Sequence, residues 1–368
     1  MSDDSVESRY PQPGARGSRS DRSPSRAVRI RDVAEVAGVS PATVSRVLND
    51  NVRVNDQLRA KVEAAVAQLG YRPNRLGAHM RRQQTRMVGL VVSDIENPHH
   101  TKFIASVEDR VRELGYHLLL CSTGESATHQ ADYLRMLHDE RVAGVLLSPS
   151  DPDGPEIAAL LDDGIPIVAI DRSVSDHRAD SVVMNNFAGT YVATRMLIAA
   201  GHRSIGFISG PLSVESGAER LTGFRDAMAE AGLSPVWRQG AFRQETAEIA
   251  TRELLESEAI TALVIANNLM ALGSLAAIRS RGARVPDDVA VVAIDDPFWA
   301  ALVEPPLTTL AQPIEELALT ATDLVVERIR GRHDKPVRRV FEFELRRRRS
   351  CGTADKVDAA PTPRVHRS

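Results

Sequence analysis

Cysteine, aromatic side chains and long apolar runs are all scarce in this sequence of 368 residues. Cys121 and Cys351 are the two cysteines, and they have neither metal-ligand spacing nor the dense pattern of a disulfide scaffold, so we expect free thiols. No run approaches the roughly 18 apolar residues of a membrane span. No apolar segment follows basic residues near the N-terminus, as it would in a secretion signal. We therefore expect a cytoplasmic protein without a metal site.

The motifs of common enzyme classes are also missing. The sequence contains no GxGxxG or GxxxxGK[ST] phosphate-binding loop, no HExxH zinc motif and no GxSxG nucleophile elbow. Histidines are scattered, and we expect the neighbouring side chains of His99 and His100 to point in different directions, which disfavours a metal site. These absences favour a binding protein over an enzyme and predict no cofactor.

Charge is unevenly distributed along the chain, although the net charge is only −3. Residues 26–86 contain 12 Arg and Lys against 5 Asp and Glu, so this segment is strongly basic and the remainder is acidic. A small basic module joined to an acidic body is typical of proteins in which one domain binds a polyanion. The charge pattern therefore favours a nucleic-acid-binding module near the N-terminus.

The apolar pattern indicates an ordered body between two polar tails. Residues 1–27 and 350–368 have too few apolar side chains to offset the entropy of ordering, so we expect both to be disordered. Between residues 87 and 349, short apolar runs alternate with amphipathic segments, which predicts buried parallel strands linked by helices. The runs are 87–92, 117–121, 145–147, 167–170, 204–208, 262–265 and 289–293. The length favours two doubly wound α/β lobes, with ligand space at the carboxyl ends of their strands.

Residues 28–73 instead show the period of small helices. Gly38 interrupts the first helix, Ser40 is a good N-cap, and Pro41 suits the first position of the second helix. Two short helices joined by a three-residue turn form a helix-turn-helix, and a third helix completes the core. The three helices are expected at 30–37, 41–48 and 55–69. The expected core side chains are Val33, Val36, Ala37, Val44, Val47, Leu48, Leu58, Val62, Val66 and Leu69.

The outward face of the second helix carries the candidate DNA contacts. Arg46 can pair bidentately with guanine in a major groove, whereas Pro41 and Ala42 allow apolar contact and close approach. Thr43 and Ser45 suit phosphate contacts. Asn49 ends this face. The alternative is a helical hairpin with an ordinary solvated surface, but the caps, turn, core spacing and local charge all favour a DNA-binding headpiece.

The headpiece sequence resembles the lactose-repressor (LacI/GalR) family of bacterial transcription regulators. Residues 30–49 read IRDVAEVAGVSPATVSRVLN and residues 69–74 read LGYRPN. The body also resembles the effector domain of this family, so the resemblance extends over roughly residues 29–349. It implies that Pro41, Ala42 and Arg46 face bases in a palindromic operator.

The resemblance also implies a hinge helix within the linker at residues 74–86. Met80 occupies the place where the family usually has a leucine that enters the minor groove, and Met is apolar and flexible enough to intercalate. Gly77 weakens an isolated helix by about 1 kcal/mol relative to Ala. We therefore hypothesise that the hinge folds only on the operator, with Arg75 contacting phosphate. The alternative is a plain interdomain linker.

Family positions that line the cleft between the lobes define the candidate effector site. Acidic and basic side chains suit vicinal hydroxyls, an asparagine can donate and accept, and an aromatic ring can stack on a sugar. These positions map to Asp94, His99, His100, Asp171, Arg172, Ser216, Arg220, Phe242, Asn267 and Asp295. For each of them, the alternative is a solvated loop residue or, for Phe242, a core aromatic.

Several departures from the family pattern bear on the effector. The two histidines replace paired aromatics, and Asn185 and Asn268 stand where Asp is frequent, so we expect a less aromatic and less anionic pocket. Val214 stands where purine-responsive members have Arg. This difference favours a sugar or sugar derivative over a purine.

The expected function is therefore effector-controlled repression by a homodimer that binds double-stranded DNA. The C-terminal region shows no leucine heptads, so we expect no added tetramerising helix. A periplasmic solute-binding protein would share the fold of the body but would have no use for residues 30–83. An enzyme and a solute-binding protein both predict no salt-dependent DNA binding.

Overall fold

The structure is a computed structural model that describes residues 30–48, 55–69, 85–332 and 334–352. The chain divides into two compact units, residues 1–81 and residues 82–368. The predicted hinge side chains Arg75 and Met80, together with Asn49, lie outside the described residues. No helix within the described ranges is both long and apolar enough to cross a membrane.

The first unit contains the three predicted helices, α1 (Ile30–Ala37), α2 (Pro41–Leu48) and α3 (Asp56–Leu69). The backbone N–H of Thr43 donates to the Ser40 hydroxyl over 3.1 Å, which caps α2, and Gly38 has a φ of +64° in the turn before it. The backbone N–H of Gln57 donates to the Asn55 side chain over 2.8 Å at the start of α3. The N-cap prediction is therefore confirmed for Ser40.

The core of the three helices differs from the prediction at two of the positions whose side chains the structure describes, and the side chain of Leu48 lies outside that part. Val33, Val44 and Val62 are fully buried, but Val36 is 47% exposed and Leu58 is 36% exposed. Ala34 and Ala65 are buried instead. Because α1 packs closely against α3, the small alanine side chains occupy this contact and the bulkier neighbours turn outward.

The first lobe of the body is a six-stranded parallel sheet flanked by helices. Its chain order begins β1 (Met87–Val92), α4 (Pro98–Glu113), β2 (His117–Ser122), α5 (Ala127–Asp139), β3 (Gly144–Leu147), α6 (Pro155–Asp162), β4 (Ile167–Ile170) and β5 (Asp180–Met184). A later strand, β11 (Arg338–Phe341), pairs with β5, which gives the sheet order β11-β5-β4-β3-β1-β2. Both faces are covered, so the central strands are completely buried.

The second lobe repeats this plan. It contains α7 (Asn186–Ala199), β6 (Ile205–Ser209), α8 (Glu215–Glu230), β7 (Val236–Gln239), α9 (Gln244–Ser257), β8 (Ala262–Ile265), α10 (Asn268–Ser280), β9 (Ala290–Ile294) and β10 (Thr308–Ala311). The sheet order is β12-β10-β9-β8-β6-β7, and β12 (Glu344–Arg346) is antiparallel to β10. The two doubly wound lobes predicted from the sequence are confirmed.

The chain crosses between the lobes three times. It leaves the first lobe after β5, returns after β10 with α11 (Ile314–Ile329), and crosses again between β11 and β12. Helix α11 packs against α4 and the first sheet, so it belongs to the first lobe. Both sheets therefore turn the carboxyl ends of their parallel strands toward the crossings.

The predicted start of the C-terminal tail at residue 350 needs correction. Ser350 and Cys351 are buried in a short 3-10 helix, Arg349–Cys351. The Ser350 hydroxyl donates to the carbonyl oxygen of Val291 over 2.6 Å and accepts from the backbone N–H of Thr308 over 2.7 Å. These bonds, which the polar composition does not reveal, fix the segment against the second sheet. Cys121 and Cys351 are free thiols, and both are buried.

Candidate ligand site and DNA-binding surface

A cavity of about 490 Å³, its open mouth included, lies between the two lobes. Asp171 and Arg172 follow β4, Asn267 follows β8 and Asp295 follows β9, so the strand ends bring together residues that are distant in sequence. All ten side chains predicted for an effector site line this cavity. The prediction did not include five further lining residues, which are Ser93, Asn97, Glu125, Arg243 and Gln312.

Arg172 and Glu125 form a bidentate ion pair at the wall contributed by the first lobe. The two terminal nitrogens of Arg172 donate to the two carboxylate oxygens of Glu125 over 2.7 and 2.6 Å. Burial opposes the charge on Arg172, but Glu125 and Asp171 raise the pKa of its guanidinium above the ordinary value. Arg172 therefore stays charged with its two terminal nitrogens engaged, and it does not offer a free cation to a ligand.

Arg220 is held on the opposite wall by α8. Its Nε donates to the Asn186 side chain over 2.8 Å and its Nη1 donates to the carbonyl oxygen of Ala266 over 2.7 Å. Burial lowers the pKa of Arg220, while the carboxylates of Asp295 and Asp171 act in the opposite direction. The guanidinium is thus oriented by neutral partners, and the nearby carboxylates of Asp295 and Asp171 favour its charged form.

Asp171 and Asp295 supply the two carboxylates that face Arg220. Burial opposes the charge on Asp171, but Arg172 and Arg220 hold the pKa of this carboxyl below its ordinary value. One oxygen of Asp295 accepts from the Gln312 side chain over 2.7 Å. Asp171 and Asp295 have φ values of +64° and +73°, a strained region for a non-glycine residue. The backbone therefore fixes both carboxylates toward the cavity at a local cost in energy.

Some polar groups of the cavity have no hydrogen-bond partner within the described part of the chain. The Ser216 hydroxyl makes none, and neither does the Nη2 of Arg220. The Oδ1 of Asn267 accepts from the backbone N–H of Met270 over 2.8 Å, which leaves its Nδ2 unengaged. All three residues are at most 4% exposed. These groups are accessible from the open space of the cavity, so the set is suited to a polar ligand.

His99 and His100 both line the cavity, as predicted, but they reach different partners, since the Nε2 of His100 lies 3.3 Å from the Ser93 hydroxyl. Their rings are 5.4 Å apart in an edge-to-face arrangement, and the Nδ1 of His99 lies 3.7 Å from an oxygen of Asp295. Burial, together with the nearby His99, lowers the pKa of His100 to about 4. The first turn of α4 opens onto the strand ends, so two consecutive residues reach the same space. His100 is therefore neutral near pH 7.

Phe242 contributes the aromatic surface of the second lobe. Its φ of +56° turns the ring over Gly210, where an added Cβ would lie 2.1 Å from the ring. Only glycine at residue 210 allows this approach. The ring is therefore a wall of the cavity as well as a neighbour of the core of the second lobe.

Polar side chains also join the two lobes beside the cavity. Arg243 pairs with Asp94. The Nδ2 of Asn268 donates to the Oδ1 of Asn97 over 2.9 Å. An aspartate at residue 268, which the family frequently has, would not donate this bond. The departure at Asn268 is thus associated with a hydrogen bond between the lobes.

The candidate DNA surface lies on α2 of the first unit. Pro41, Ala42 and Arg46 are exposed, whereas Thr43 is partly buried and its hydroxyl lies 2.9 Å from that of Ser40. The side chain of Ser45 is outside the described part. Arg46 therefore remains available at the surface, while Thr43 contributes to the cap.

Comparisons with known proteins agree with this architecture. Residues 29–74 match the model of the bacterial regulatory proteins of the lacI family, and residues 194–351 match a periplasmic binding protein-like domain. The chain is 37% identical to the HTH-type transcriptional repressor PurR of Vibrio campbellii, covering 86% of this chain and 95% of that protein. It is 35% identical to the HTH-type transcriptional regulator DegA of Bacillus subtilis, covering 78% and 87%.

Solved structures give the same result for the fold. The lac repressor dimer bound to operator and the anti-inducer ONPF matches with a TM-score of 0.79 and 29% identity, covering 89% of this chain and 100% of that chain. The complex of the transcriptional regulator CelR with cellobiose matches with a TM-score of 0.68 and 35% identity, covering 88% and 99%. The similarity therefore extends across both the headpiece and the body.

Proposed function

The chain belongs to the lacI family of bacterial regulatory proteins, and we propose that it represses transcription under the control of an uncharged, sugar-like effector held between its lobes. Membership makes it a DNA-binding transcriptional regulator. The identity of the effector and the roles of individual residues are the new parts of this proposal.

The headpiece would bind one half of a palindromic operator with the outward face of α2. Arg46 would contact guanine, Pro41 and Ala42 would approach the bases, and Thr43 and Ser45 would contact phosphates. Two headpieces of a homodimer would read the two half-sites. The lac repressor structure, a dimer on its operator, supports this arrangement. A protein that acts on the chromosome would work in the cytoplasm.

The unengaged polar groups of Ser216, Arg220 and Asn267 carry the effector proposal. They provide a hydroxyl, a charged donor and a neutral donor at separate points of one cavity, which suits a ligand with several hydroxyl groups. Phe242 would stack against the apolar face of a sugar ring. The similar regulator CelR, whose solved structure contains cellobiose, supports a sugar.

The charge balance of the cavity argues against an anionic effector. Its wall contains four carboxylates, and two of the three arginines are already engaged by Glu125 and Asp94. A phosphate or carboxylate group would meet the remaining carboxylates without a free guanidinium to bind it bidentately. We therefore expect free sugars to bind better than sugar phosphates.

A purine is the second candidate because relatives named PurR cover most of the chain. Val214 is the N-cap residue of α8, and its side chain makes no hydrogen bond, which disfavours a purine because purine-responsive members have Arg at this position. Thermal-shift and calorimetric titrations with neutral sugars, sugar phosphates and purine bases decide between these classes. Stabilisation by a neutral sugar supports the proposal, whereas stabilisation by purines alone contradicts it.

Effector binding would reach the DNA through the relative position of the lobes and the hinge. Closure or opening of the cleft changes the geometry of a dimer, and this change would bias folding of residues 74–83 on the operator. Arg75 and Met80 would then contact phosphate and the minor groove. Slow amide exchange across residues 75–82 in the free dimer would contradict coupled folding.

A further inference from the structure

A second cavity, which we call the apolar annex, lies in the first lobe beside the ligand site and has a volume of about 370 Å³ with its mouth included. Its apolar walls come from α4, β4, β5 and α11. The lining side chains that define it are Phe103, Ile170, Val182, Val183, Met184 and Leu317. The residues of the ligand site described so far are mostly polar, so the annex differs from it in chemistry.

The annex is next to the polar cavity rather than isolated in the core. His99, His100, Asp171 and Gln312 line both spaces. A ligand that contacts Asp171 therefore has one side toward the arginines and carboxylates and another toward the apolar walls. The neutral imidazole of His100 lies at this boundary, so this side chain places no positive charge between the two spaces.

Ser148 provides a second observation that points to a ligand. It lines the annex at the end of β3, it is completely buried, and its hydroxyl makes no hydrogen bond in the described structure. An unpaired buried hydroxyl is unfavourable unless another molecule pairs with it. An oxygen atom on the ligand near its apolar end would complete this bond.

We propose that the effector is an uncharged polyol with a short apolar end that enters the annex, as the methyl group of a 6-deoxy sugar would. The polar cavity binds the hydroxyl groups of the sugar, and the six apolar side chains of the annex contact its methyl end, which has no hydroxyl group. A terminal hydroxyl placed among the six apolar side chains would lose its contact with water, whereas a hydroxyl on the neighbouring carbon could pair with Ser148. This inference rests on the proposed function, because it assumes a polyol in the main cavity.

Calorimetry on the full-length protein with matched sugar pairs tests the inference. The pairs are D-galactose with D-fucose, D-mannose with D-rhamnose, D-glucose with D-quinovose, and D-ribose with 5-deoxy-D-ribose. In the pair that binds best, we expect the deoxy sugar to bind about 10- to 100-fold more tightly, the range that one added or missing group gives in an apolar pocket. Equal binding, or tighter binding of the parent sugar, overturns the inference and leaves the proposed function intact. If no pair binds, the polyol premise itself is wrong, and the inference is rejected with it.

Two matched variants test whether the annex itself, rather than a general change in stability, determines the preference for the deoxy sugar. Val182→Thr keeps the shape of the side chain but adds a hydroxyl, so it should reduce the preference for the deoxy sugar severalfold. The matched control, Val264→Thr, makes the same change at a buried position in the other sheet and should leave the preference unchanged. An unchanged preference in Val182→Thr contradicts the assignment.

Ser148→Ala gives a further readout that a purely structural role would not produce. Removing an unpaired buried hydroxyl should leave the Tm of the free protein unchanged or higher, while the affinity for the bound sugar falls several-fold. A lower Tm with unchanged affinity would show that Ser148 stabilises the fold instead.

Discussion

The headpiece has an exposed arginine on its candidate DNA-binding surface, whereas the arginine in the cavity of the body is buried. Arg46 projects from α2 into solvent, whereas Arg220 is 4% exposed and is oriented by Asn186 and a backbone carbonyl. Charges in water are screened by salt, and buried charges are screened much less. Under the proposed function, one protein would bind a polyanion through exposed charge and a neutral molecule through preorganised, buried polar groups.

The largest expected effect is that of salt, which should weaken operator binding by the headpiece far more than sugar binding by the body. If the dimer contacts roughly 6 to 10 phosphates, operator affinity should fall by about 10³- to 10⁵-fold between roughly 50 and 200 mM salt. Affinity for the bound sugar should change by less than about twofold, because the ligand is uncharged. Fluorescence anisotropy and calorimetry measure the two effects, and a similar salt dependence for both would remove the distinction.

Arg220→Ala should cause the next largest change. Truncating a buried, hydrogen-bonded charge costs on the order of 2 to 5 kcal/mol, so calorimetry should show little or no remaining sugar binding. Arg225→Ala provides the control, because Arg225 is an exposed residue of the same helix. If both variants bind sugar like the original protein, Arg220 does not contact the effector.

The free energy of unfolding should decrease in acid because of His100. Its pKa is about 4 in the folded chain and 6.5 ordinarily, so the unfolded chain binds more protons between these values. The contribution of His100 to the free energy of unfolding is complete above about pH 6.5. It is lost as the pH decreases toward 4, which lowers this free energy by on the order of 3 kcal/mol. His100→Gln should flatten this dependence in urea titrations, whereas His177→Gln, a change at an exposed position, should not. An equal slope in all three proteins would be inconsistent with a buried neutral His100.

Arg46→Ala should have the smallest of these effects. Loss of one base contact costs about 1 to 3 kcal/mol and relaxes the base preference. Binding to a selected operator and to its scrambled version should therefore become more similar. An unchanged ratio between the two sites would assign base recognition to another face of the headpiece.

Most strands predicted from continuous apolar runs are buried on both faces, although the edge strand β2 was predicted while only partly buried, and the buried strand β10, TTLA, was missed. Strands β7 and β11 escaped prediction because their sequences, VWRQ and RRVF, are amphipathic and lie at sheet edges. Strand β5 begins with Asp180, whose carboxylate binds Arg328 over 2.7 Å, a partner far away in sequence. Local pattern thus identifies the centre of a sheet better than its edges.

The cavity shows a similar division. Residues at family positions were found by resemblance, but their partners Glu125, Arg243 and Gln312 were not, because pairing across the folded chain has no local pattern. Ser93 and Glu125 follow the ends of predicted strands, so extending the strand-end rule to every polar residue there would have included them. Gln312 follows β10, which the apolar runs did not predict. Arg243 depends on the left-handed backbone at residues 241 and 242, which sequence alone does not reveal.

The central claim is that a neutral polyol in the cavity controls DNA binding by the headpiece. Its most direct test uses an operator selected by the full-length protein from a random DNA library, with anisotropy measured as the best-binding sugar is added. The account predicts a palindromic site whose affinity changes with sugar in the original protein and does not change in Arg220→Ala. Selection of no palindrome, or an operator affinity that is independent of every bound sugar, would contradict it.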